Sequence, residues 1–322
     1  MSGLRGSAIL GVGAYRPSRV VGNDEICARI DSSDEWIRKR SGIVSRRFAD
    51  DGETIVGMAA EATRKAVAQS GTHPRDVDAV VLASMSILEQ SPPSAPRVAT
   101  LIGARNAAGL DLNAACSGFC YGLAVADSMV RSGQVDRVVV VGSERMSDIV
   151  DPDDRGTAFL FGDGAGAVVV GPAENRGIGP VVWGSDGERH EMIAHDGAWR
   201  HGGAWPYMRM AGPEVFRWAT RLVPETATRA LAAAGVRADD LGAFIPHQAN
   251  LRIVEAAARA LGLGPRTVVA RDVVHAGNTS AASIPLAMDD LLSRGAVAAG
   301  ESALLVGFGA GLTYAAQVVT LP

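Results

Sequence analysis

Cys116 is the residue of this sequence whose setting best suits nucleophilic chemistry. It lies in residues 111–119, which read as a strand, a tight turn of small residues and the start of a helix. A cysteine at a helix N-terminus lies at the positive end of the macrodipole, which favours the thiolate. Buried structural cysteines are also common, so this stretch alone leaves both interpretations open. Cys27 and Cys120 lack such a setting, and a place in the core is the stronger interpretation for Cys120.

Three further segments hold residue types that suit acyl chemistry. His247 stands at the end of a strand, where α/β sheets bind their ligands. Asn278 follows Gly277, where an asparagine is more often a turn or cap residue. Residues 308–311 form a glycine-rich turn after a strand, and such turns present backbone N–H groups to an oxyanion. Each segment is a weak signal alone, and the combination with Cys116 is the specific one.

The elements that must position these residues alternate along the chain. Short runs rich in β-branched residues predict buried parallel strands at residues 77–84, 137–142, 165–170, 243–246 and 303–306. Alanine-rich segments predict helices at residues 54–70, 118–132, 216–234 and 251–261. The alternation predicts an α/β architecture in which helices pack on sheets.

The two halves of the chain look related. Residues 66–71 and the strand after them resemble residues 230–235 and their strand, at an offset of 235 − 71 = 164, and Gly133 matches Gly295 at 295 − 133 = 162. Alanine-rich helices also resemble each other by chance, but ordinary repeats are much shorter than this period. We therefore predict a duplicated unit with halves at residues 1–172 and 173–322. Subtracting 162 from 278 gives 116, which predicts that Asn278 and Cys116 are equivalent and face one cavity.

Composition excludes several classes of function. The 322 residues are 47% hydrophobic with a net charge of −4 and no long block of like charges, which argues against a nucleic-acid partner. Three cysteines do not form a disulfide framework, and the scattered histidines predict no metal site. Residues 1–5 lack the pattern of a signal peptide, and no apolar run is long enough to span a membrane. The expected location is therefore the reducing cytoplasm.

Three motifs together give the chain a family resemblance. They are Cys-Ser-Gly-Phe at 116–119, Pro-His-Gln-Ala-Asn at 246–250 and Gly-Asn-Thr-Ser-Ala-Ala-Ser at 277–283. With them the sequence resembles β-ketoacyl-ACP synthase III of the thiolase-like condensing enzymes, most closely the actinobacterial members, from residue 9 to residue 314. The resemblance implies the duplicated αβαβα thiolase-like fold, an acyltransferase that uses acyl-CoA and malonyl-ACP, a homodimer, and no metal or redox cofactor.

The family's catalytic triad falls on Cys116, His247 and Asn278. By resemblance, the Cys116 thiolate takes an acyl group from CoA, and the backbone N–H groups of Cys116 and Ala310 hold the oxyanion. Many relatives have glycine in place of Ala310, and alanine serves if its dihedral angles are allowed. His247 and Asn278 then donate hydrogen bonds to the thioester carbonyl of malonyl-ACP, so that loss of CO₂ gives an enolate that attacks the acyl group. His247 can donate through Nε2 if Nδ1 accepts a hydrogen bond or the ring is charged, and the sequence leaves both possibilities open.

The resemblance also implies a nucleotide site at the entrance. Trp36 would stack on the adenine of CoA, and Arg40 and Arg155 would complete the site. A solvated basic patch beside a core tryptophan is the alternative. Positions of the family's ACP-docking patch fall on Arg217, Arg252 and Arg259, where ordinary surface arginines of a helix are the alternative.

The acyl pocket is where the resemblance is thinnest. Members confined to acetyl primers carry a bulky phenylalanine near Ser91 and Pro92, so these residues favour a longer or branched primer. Residues 186–212, which help to cap the acyl channel in relatives, look short and show no periodicity. The motifs do not separate a starter role in fatty acid synthesis from one in type II polyketide synthesis.

Other functions fit the sequence less well. A family acyltransferase that moves the acyl group to oxygen or nitrogen usually lacks a triad member, and all three are present here. A thiolase needs a second cysteine near the C-terminus, which residues 307–314 lack. Chalcone synthases tend to be longer and differ in flanking motifs. A non-catalytic chain-length factor would lack Cys116, and the glycine-rich loops of simple nucleotide-binding proteins are absent.

Overall fold

The computed structural model describes residues 5–199 and 202–322. Its strands are β1 (Gly6–Tyr15), β2 (Arg19–Gly22), β3 (Ser45–Phe48), β4 (Ala79–Ala83), β5 (Ala108–Leu112), β6 (Val138–Glu144), β7 (Gly164–Ala173), β8 (Val182–Ser185), β9 (Ile193–His195), β10 (Met208–Met210), β11 (Ala243–Pro246), β12 (Val268–Val269), β13 (Ser302–Gly309) and β14 (Thr313–Thr320). Its helices are α1 (Asn23–Cys27), α2 (Asp34–Ser41), α3 (Ile55–Gln69), α4 (Ala95–Ile102), α5 (Gly118–Arg131), α6 (Gly212–Ala234), α7 (Leu251–Leu261), α8 (Val273–Ala276) and α9 (Ser283–Ser293).

Two predictions from the sequence reach beyond these ranges. The prediction about a signal peptide rests mainly on residues 1–4, which lie outside the described part. Two residues of the segment 186–212, Arg200 and His201, also lie outside it. The described remainder of that segment forms a 3₁₀ turn at Gly187–Met192 and the hairpin of β9 and β10. Within the described ranges, no helix is both long and apolar enough to cross a bilayer.

The elements stack in five layers, as the resemblance implies. One sheet has the order β1-β7-β6-β4-β5 and the other β12-β11-β13-β14-β8. Helices α5 and α9 pack between the sheets, α3 and α4 cover the outside of the first, and α6 and α7 cover the outside of the second. Each helical layer packs on its own cluster of buried apolar side chains. The predicted αβαβα arrangement is confirmed.

The strand at residues 165–170 runs opposite to its predicted direction. It lies in β7, which is antiparallel to both β1 and β6. The other predicted strands do pair in parallel, β4 with β6 and β11 with β13. Helices cover both faces of β7, so its side chains are apolar throughout. An unbroken apolar run therefore reports burial on two faces and carries no information about direction.

The duplication is real, but its register at the site differs from the predicted one. The 3₁₀ turns Ala115–Ser117 and Ser280–Ala282, each leading directly into a central helix, are related by 280 − 115 = 165. Helix α9 is shorter than α5 by 14 − 11 = 3 residues, so the offset falls to 162 only after the helices. The structural equivalent of Cys116 is therefore Ala281, and that of Asn278 is Asn113. The predicted equivalence of Cys116 and Asn278 is wrong.

Candidate active site

The Cys116 turn is built on a strained backbone. Ala115, the residue before the cysteine, has φ of +46°, a left-handed conformation that costs alanine about 1–2 kcal/mol. Its N–H donates to Asn113 Oδ1 at 3.1 Å, which holds the tight turn. Cys116 itself is 7% exposed. The chain thus bends sharply at the end of β5 so that the thiol faces the interior between the two halves.

The turn after β13 closes against Cys116. A Cβ on Gly309 would lie 2.8 Å from Cys116 Cβ, so only glycine permits this approach. The hydroxyl of Thr313 lies 2.9 Å from the Ala310 carbonyl and 3.0 Å from the Ala114 carbonyl, and it accepts from Ser117 at 2.8 Å. This hydroxyl pair ties the two turns together. Within the described residues, the positive φ values of non-glycine residues belong to Ala115 and Ser280, so Ala310 has an ordinary φ and meets the condition set above.

Burial governs the protonation of the thiol. Desolvation raises the pKa of Cys116 to about 12, and the buried charge of Glu144 acts in the same direction. A thiol whose pKa is raised this far is protonated at pH 7. The predicted stabilisation of the thiolate at the helix terminus is therefore outweighed in the free protein, which holds a neutral thiol.

His247 is a neutral, oriented imidazole. It follows β11, and its backbone N–H donates to the Val306 carbonyl at 2.8 Å. Its ring packs edge-on against Phe308, with 5.1 Å between the ring centroids. Desolvation lowers its pKa to about 3. Its Nδ1 lies 2.7 Å from Ser283 Oγ, which also accepts from the Gln248 N–H at 3.3 Å. The Ser283 hydroxyl can donate to Nδ1 while it accepts from the Gln248 N–H, and in that arrangement the ring proton lies on Nε2.

Asn278 is held by the first half of the molecule. Its backbone N–H donates to the Leu160 carbonyl at 2.8 Å, and its backbone carbonyl accepts from the Gly162 N–H at 3.0 Å. Its side-chain Oδ1 accepts from the Ser280 N–H at 2.9 Å. Because the oxygen is engaged, the amide presents Nδ2, a donor, to the open side.

A channel leads from the surface to Asn278. The cavity is about 250 Å³, and its walls include Phe159, Leu160, Val215 and Phe216, with Asn278 at the inner end. The turns that carry Cys116 and Asn278 pack against each other, and His247 contacts Phe308 next to the Cys116 turn. The structure thus brings the three predicted catalytic residues to one place.

The predicted nucleotide residues meet at the mouth of this channel. Arg40 lines both the channel and the adjoining depression, in which Trp36 also lies. The guanidinium of Arg155 lies over the Trp36 ring, 4.6 Å from its centroid, and Phe159 packs edge-on against the ring at 5.1 Å. A base between the two planes needs about 7 Å, two stacking distances, so adenine fits only after Arg155 moves.

The three arginines of the predicted carrier-protein patch separate into two places. Arg217 and Arg252 line the channel mouth, where Arg252 stacks over Phe216 at 4.9 Å and Arg217 pairs with Glu214 at 2.9 Å. Arg259 is exposed two turns further along α7, about 10 Å from Arg252 along the axis.

The residues predicted for the acyl pocket are exposed. Ser91 and Pro92 lie in the loop before α4, joined by a cis peptide bond. The loop is anchored where the Ser94 and Ala95 N–H groups donate to the Asp111 carboxylate at 2.6 and 2.7 Å. In a single chain these two side chains enclose nothing, so an acyl pocket that includes them needs a second chain.

Sequence reasoning missed four residues that support the site. Ser283 and Thr313 stand inside motifs that were recognised, but only side-chain geometry reveals their partners. Glu144 and Arg46 are fully buried charges, but their sequence neighbours are serines and arginines, so no local apolar pattern marks either residue as buried. Among the described residues, no group of three or more metal-binding side chains is placed to hold a metal ion.

The five-layer duplicated fold, with a buried cysteine and a histidine on adjoining turns and an asparagine that lines the channel, defines a thiolase-like condensing enzyme. Family models described as 3-oxoacyl-[acyl-carrier-protein (ACP)] synthase III and its C-terminal part match residues 110–187 and 231–321. The chain belongs to the 3-oxoacyl-ACP synthase III family.

Individual relatives agree along the whole chain. The mycobacterial β-ketoacyl-[acyl-carrier-protein] synthase III of Mycobacterium tuberculosis is 51% identical over 326 residues, covering 100% of this chain and 97% of that protein. The β-ketoacyl-[acyl-carrier-protein] synthase III of Streptomyces glaucescens is also 51% identical, covering 98% of this chain and 96% of that protein. The solved priming β-ketosynthase from the R1128 polyketide biosynthetic pathway superposes with a TM-score of 0.98 at 47% identity, covering 100% of this chain and 98% of that one.

Proposed function

We propose that this protein is a priming ketosynthase, which loads an acyl group from acyl-CoA onto Cys116 and condenses it with malonyl-ACP to give β-ketoacyl-ACP. The observation that carries the proposal is the packing of the Cys116 turn against the turn after Asn278, with His247 against Phe308 beside them and Asn278 lining a channel of about 250 Å³. Membership of the synthase III family favours condensation over acyl transfer to oxygen or nitrogen.

The first half-reaction charges the cysteine. The Cys116 sulfur forms a bond to the acyl carbon, the bond from that carbon to the CoA sulfur breaks, and the thiol proton ends on CoA. Because the thiol is neutral at rest, proton loss accompanies the attack. The backbone N–H groups of Cys116 and Ala310, fixed by the Thr313 network, would hold the tetrahedral oxyanion.

The second half-reaction makes the carbon–carbon bond. His247 Nε2–H and Asn278 Nδ2–H donate to the malonyl thioester carbonyl, and CO₂ leaves to give an enolate. The enolate carbon attacks the acyl carbon, the bond to Cys116 breaks, and the sulfur takes a proton from solvent. Two neutral donors suit this step, because each is worth about 3–4 kcal/mol where negative charge develops. Neither half-reaction as written calls on a metal or a redox cofactor.

We assign the binding of CoA and of the acyl carrier protein to the arginine-rich mouth of the channel. Trp36, Arg40 and Arg155 would hold the adenine and phosphates of CoA once Arg155 moves aside. Arg217 and Arg252 would meet the acidic carrier protein first, with Arg259 as an outlying contact. Planar guanidinium groups suit both phosphate and carboxylate partners.

We further propose a homodimer in the cytoplasm with a primer longer than acetyl. Strand β5 is an edge strand that bonds only to β4, and its Leu110 is 47% exposed. Open apolar edges are usually covered, and a second copy of β5 would pair with this one. That arrangement would bring Ser91 and Pro92 to a partner's acyl pocket. Relatives named β-ketoacyl-[acyl-carrier-protein] synthase III, at 51% identity, and the priming β-ketosynthase of a polyketide pathway, at 47%, are about equally similar, so a starter role in fatty acid or in polyketide synthesis fits.

One experiment tests the central proposal. The purified protein is mixed with acyl-CoAs from acetyl to octanoyl, including branched ones, and its intact mass is recorded before and after malonyl-ACP is added. We expect an acyl adduct on Cys116 that disappears as β-ketoacyl-ACP and CO₂ form, and the best-loaded chain names the primer. An adduct that ignores malonyl-ACP but leaves to an alcohol or amine would overturn condensation. No adduct from either CoA or ACP donors would overturn Cys116 as the nucleophile.

A further inference from the structure

Glu144 occupies an unexplained position at the centre of the molecule. Its carboxylate is fully buried at the end of β6, in a strand that is otherwise apolar or small. Five donors reach it: the hydroxyls of Ser84 and Ser86, the N–H groups of Met85 and Ser86, and the N–H of Ala281. Four of them come from the loop after β4, and the fifth comes from the other half of the molecule.

The duplication explains what that fifth contact means. At the offset of 165, Ala281 corresponds to Cys116. The longer loop after α9 restores this offset in the strands that follow, because Val138 pairs with Ala79 as Ala303 pairs with Ala243, so Glu144 of β6 corresponds to Gly309 of β13. In one half Gly309 lies against the Cys116 turn, and because glycine has no side chain, the backbone N–H of Cys116 stays open to a substrate oxyanion. In the other half the Glu144 side chain reaches the Ala281 N–H, with Oε1 at 3.3 Å. The residues before the two N–H groups, Ala115 and Ser280, share φ of +46°.

We propose that Glu144 is a positioning residue, whose carboxylate fills the pseudosymmetric copy of the oxyanion site, fixes the turn that carries Asn278, and sets a negative charge beside the Cys116 thiol. The charge restrains Cys116 until a thioester is bound, and the fixed turn keeps the Asn278 amide in place for condensation. The inference rests on the proposed roles of Cys116 and Asn278.

The surroundings of the thiol leave Glu144 as the charge that acts on it. Cys120, on the same helix, and His247, at the end of β11, are both neutral at pH 7, because burial raises the pKa of the thiol to about 12 and lowers that of the imidazole to about 3. The turn at Ala281, whose N–H donates to Glu144, packs directly against the turn that carries Cys116, so the carboxylate lies on the side of the thiol that faces the second half. Burial raises the pKa of Glu144, and its hydrogen bonds oppose that shift. Three of its partners are backbone N–H groups, which can only donate and so favour the ionised carboxylate.

The test compares Glu144→Gln with a matched control, Asp163→Asn. Asp163 is a second buried carboxylate, which accepts from the N–H groups of Ala49 and Ser147 and from the Ser147 hydroxyl. Iodoacetamide alkylation of Cys116 is followed by peptide mass from pH 7 to 10 without substrate. We expect about 3- to 10-fold faster alkylation at pH 8 in Glu144→Gln and the wild-type profile in Asp163→Asn. Condensation should slow about 10-fold in Glu144→Gln, while acylation by acyl-CoA does not slow.

Several outcomes would overturn the inference. An unchanged alkylation profile in Glu144→Gln, or an equal change in Asp163→Asn, would leave Glu144 with a structural role alone. If Glu144→Gln does not fold, Ser84→Ala serves instead, because it removes a hydroxyl donor to the Glu144 carboxylate and so favours the neutral carboxyl. Alkylation should again become faster, and slower or unchanged alkylation would contradict the proposal. The alkylation assay uses no substrate, so its result is separate from a failure of Cys116 to accept an acyl group.

Discussion

The turns at Cys116 and Ala281 share one backbone and have opposite uses. Each follows an asparagine whose side chain accepts from the residue two positions on, each contains a left-handed residue, and each opens a central helix. The Cys116 turn faces Gly309, whereas the Ala281 turn is met by Glu144. The comparison teaches that duplication supplies two equivalent anion-binding turns, and that side chains at the ends of the facing strands decide which one is left open.

The largest expected effect is the loss of the nucleophile from the open turn. Cys116→Ala should abolish the acyl adduct and reduce condensation to background, because the other turn offers no replacement. Cys120→Ala, one helical turn further on, removes an equally buried thiol and should keep the adduct. Intact mass after exposure to acyl-CoA measures both. An adduct that persists in Cys116→Ala would mean that the two turns are misassigned.

The paired asparagines should differ sharply in function. Asn278→Ala should lower condensation about 10²–10³-fold while the acyl adduct still forms, because it removes a donor to the developing enolate. Asn113→Ala, its structural equivalent, removes a comparable hydrogen bond from an exposed position and should leave condensation within a few-fold of wild type. Separate measurement of loading and of β-ketoacyl-ACP release distinguishes them. Equal losses in both variants would reduce Asn278 to a turn-forming residue.

Acid should destabilise the protein through His247, whose counterpart at the end of β4 is the non-titrating Ala83. The folded pKa of about 3 lies below the ordinary 6.5, so between these values the unfolded chain binds the extra proton. Stability from this group is complete above pH 6.5 and is lost as pH falls towards 3, by about 1.4 kcal/mol per pH unit. Urea titrations at several pH values should show a shallower decline in His247→Gln. Parallel declines in the two proteins would argue against a buried neutral imidazole.

The smallest expected effect is a change in the free energy of unfolding when the strained residue Ala115 is replaced. Ala115→Gly should raise the free energy of unfolding by about 0.5–1 kcal/mol, because glycine adopts φ of +46° without the clash of a Cβ. Ala114→Gly is the control, because Ala114 has φ of −127° and glycine should destabilise it. Urea denaturation measures both. A loss of stability in Ala115→Gly would show that the left-handed conformation carries no relievable strain.

The sequence predicted much of this architecture. Alanine-rich segments of helical length located helices such as residues 118–132 and 251–261 to within a few residues, since alanine has the highest helix propensity. Strand direction at residues 165–170 escaped prediction, because β7 is covered on both faces whichever way it runs. The register of the duplication also escaped, because the glycines that were matched follow central helices of unequal length.

The candidate site was predictable in its residue types and less so in its chemistry. The motifs carried Cys116, His247 and Asn278 together, as the structure does. The neutral state of the thiol was not predictable, because desolvation depends on what the other half of the chain brings against it. The orientation of the imidazole depends likewise on Ser283, which is 36 residues away in the chain.

The backbone clasp between Asn278 and residues 160–162 bears on the ancestry of the chain. One half of the duplicated chain supports the catalytic loop of the other through main-chain bonds from Leu160 and Gly162 to Asn278. Neither half can therefore function as a separate protein. A gene split after residue 172 would encode two fragments, each with half of the clasp. Activity would then depend on their reassociation, and so would vary with the square of fragment concentration when dilute.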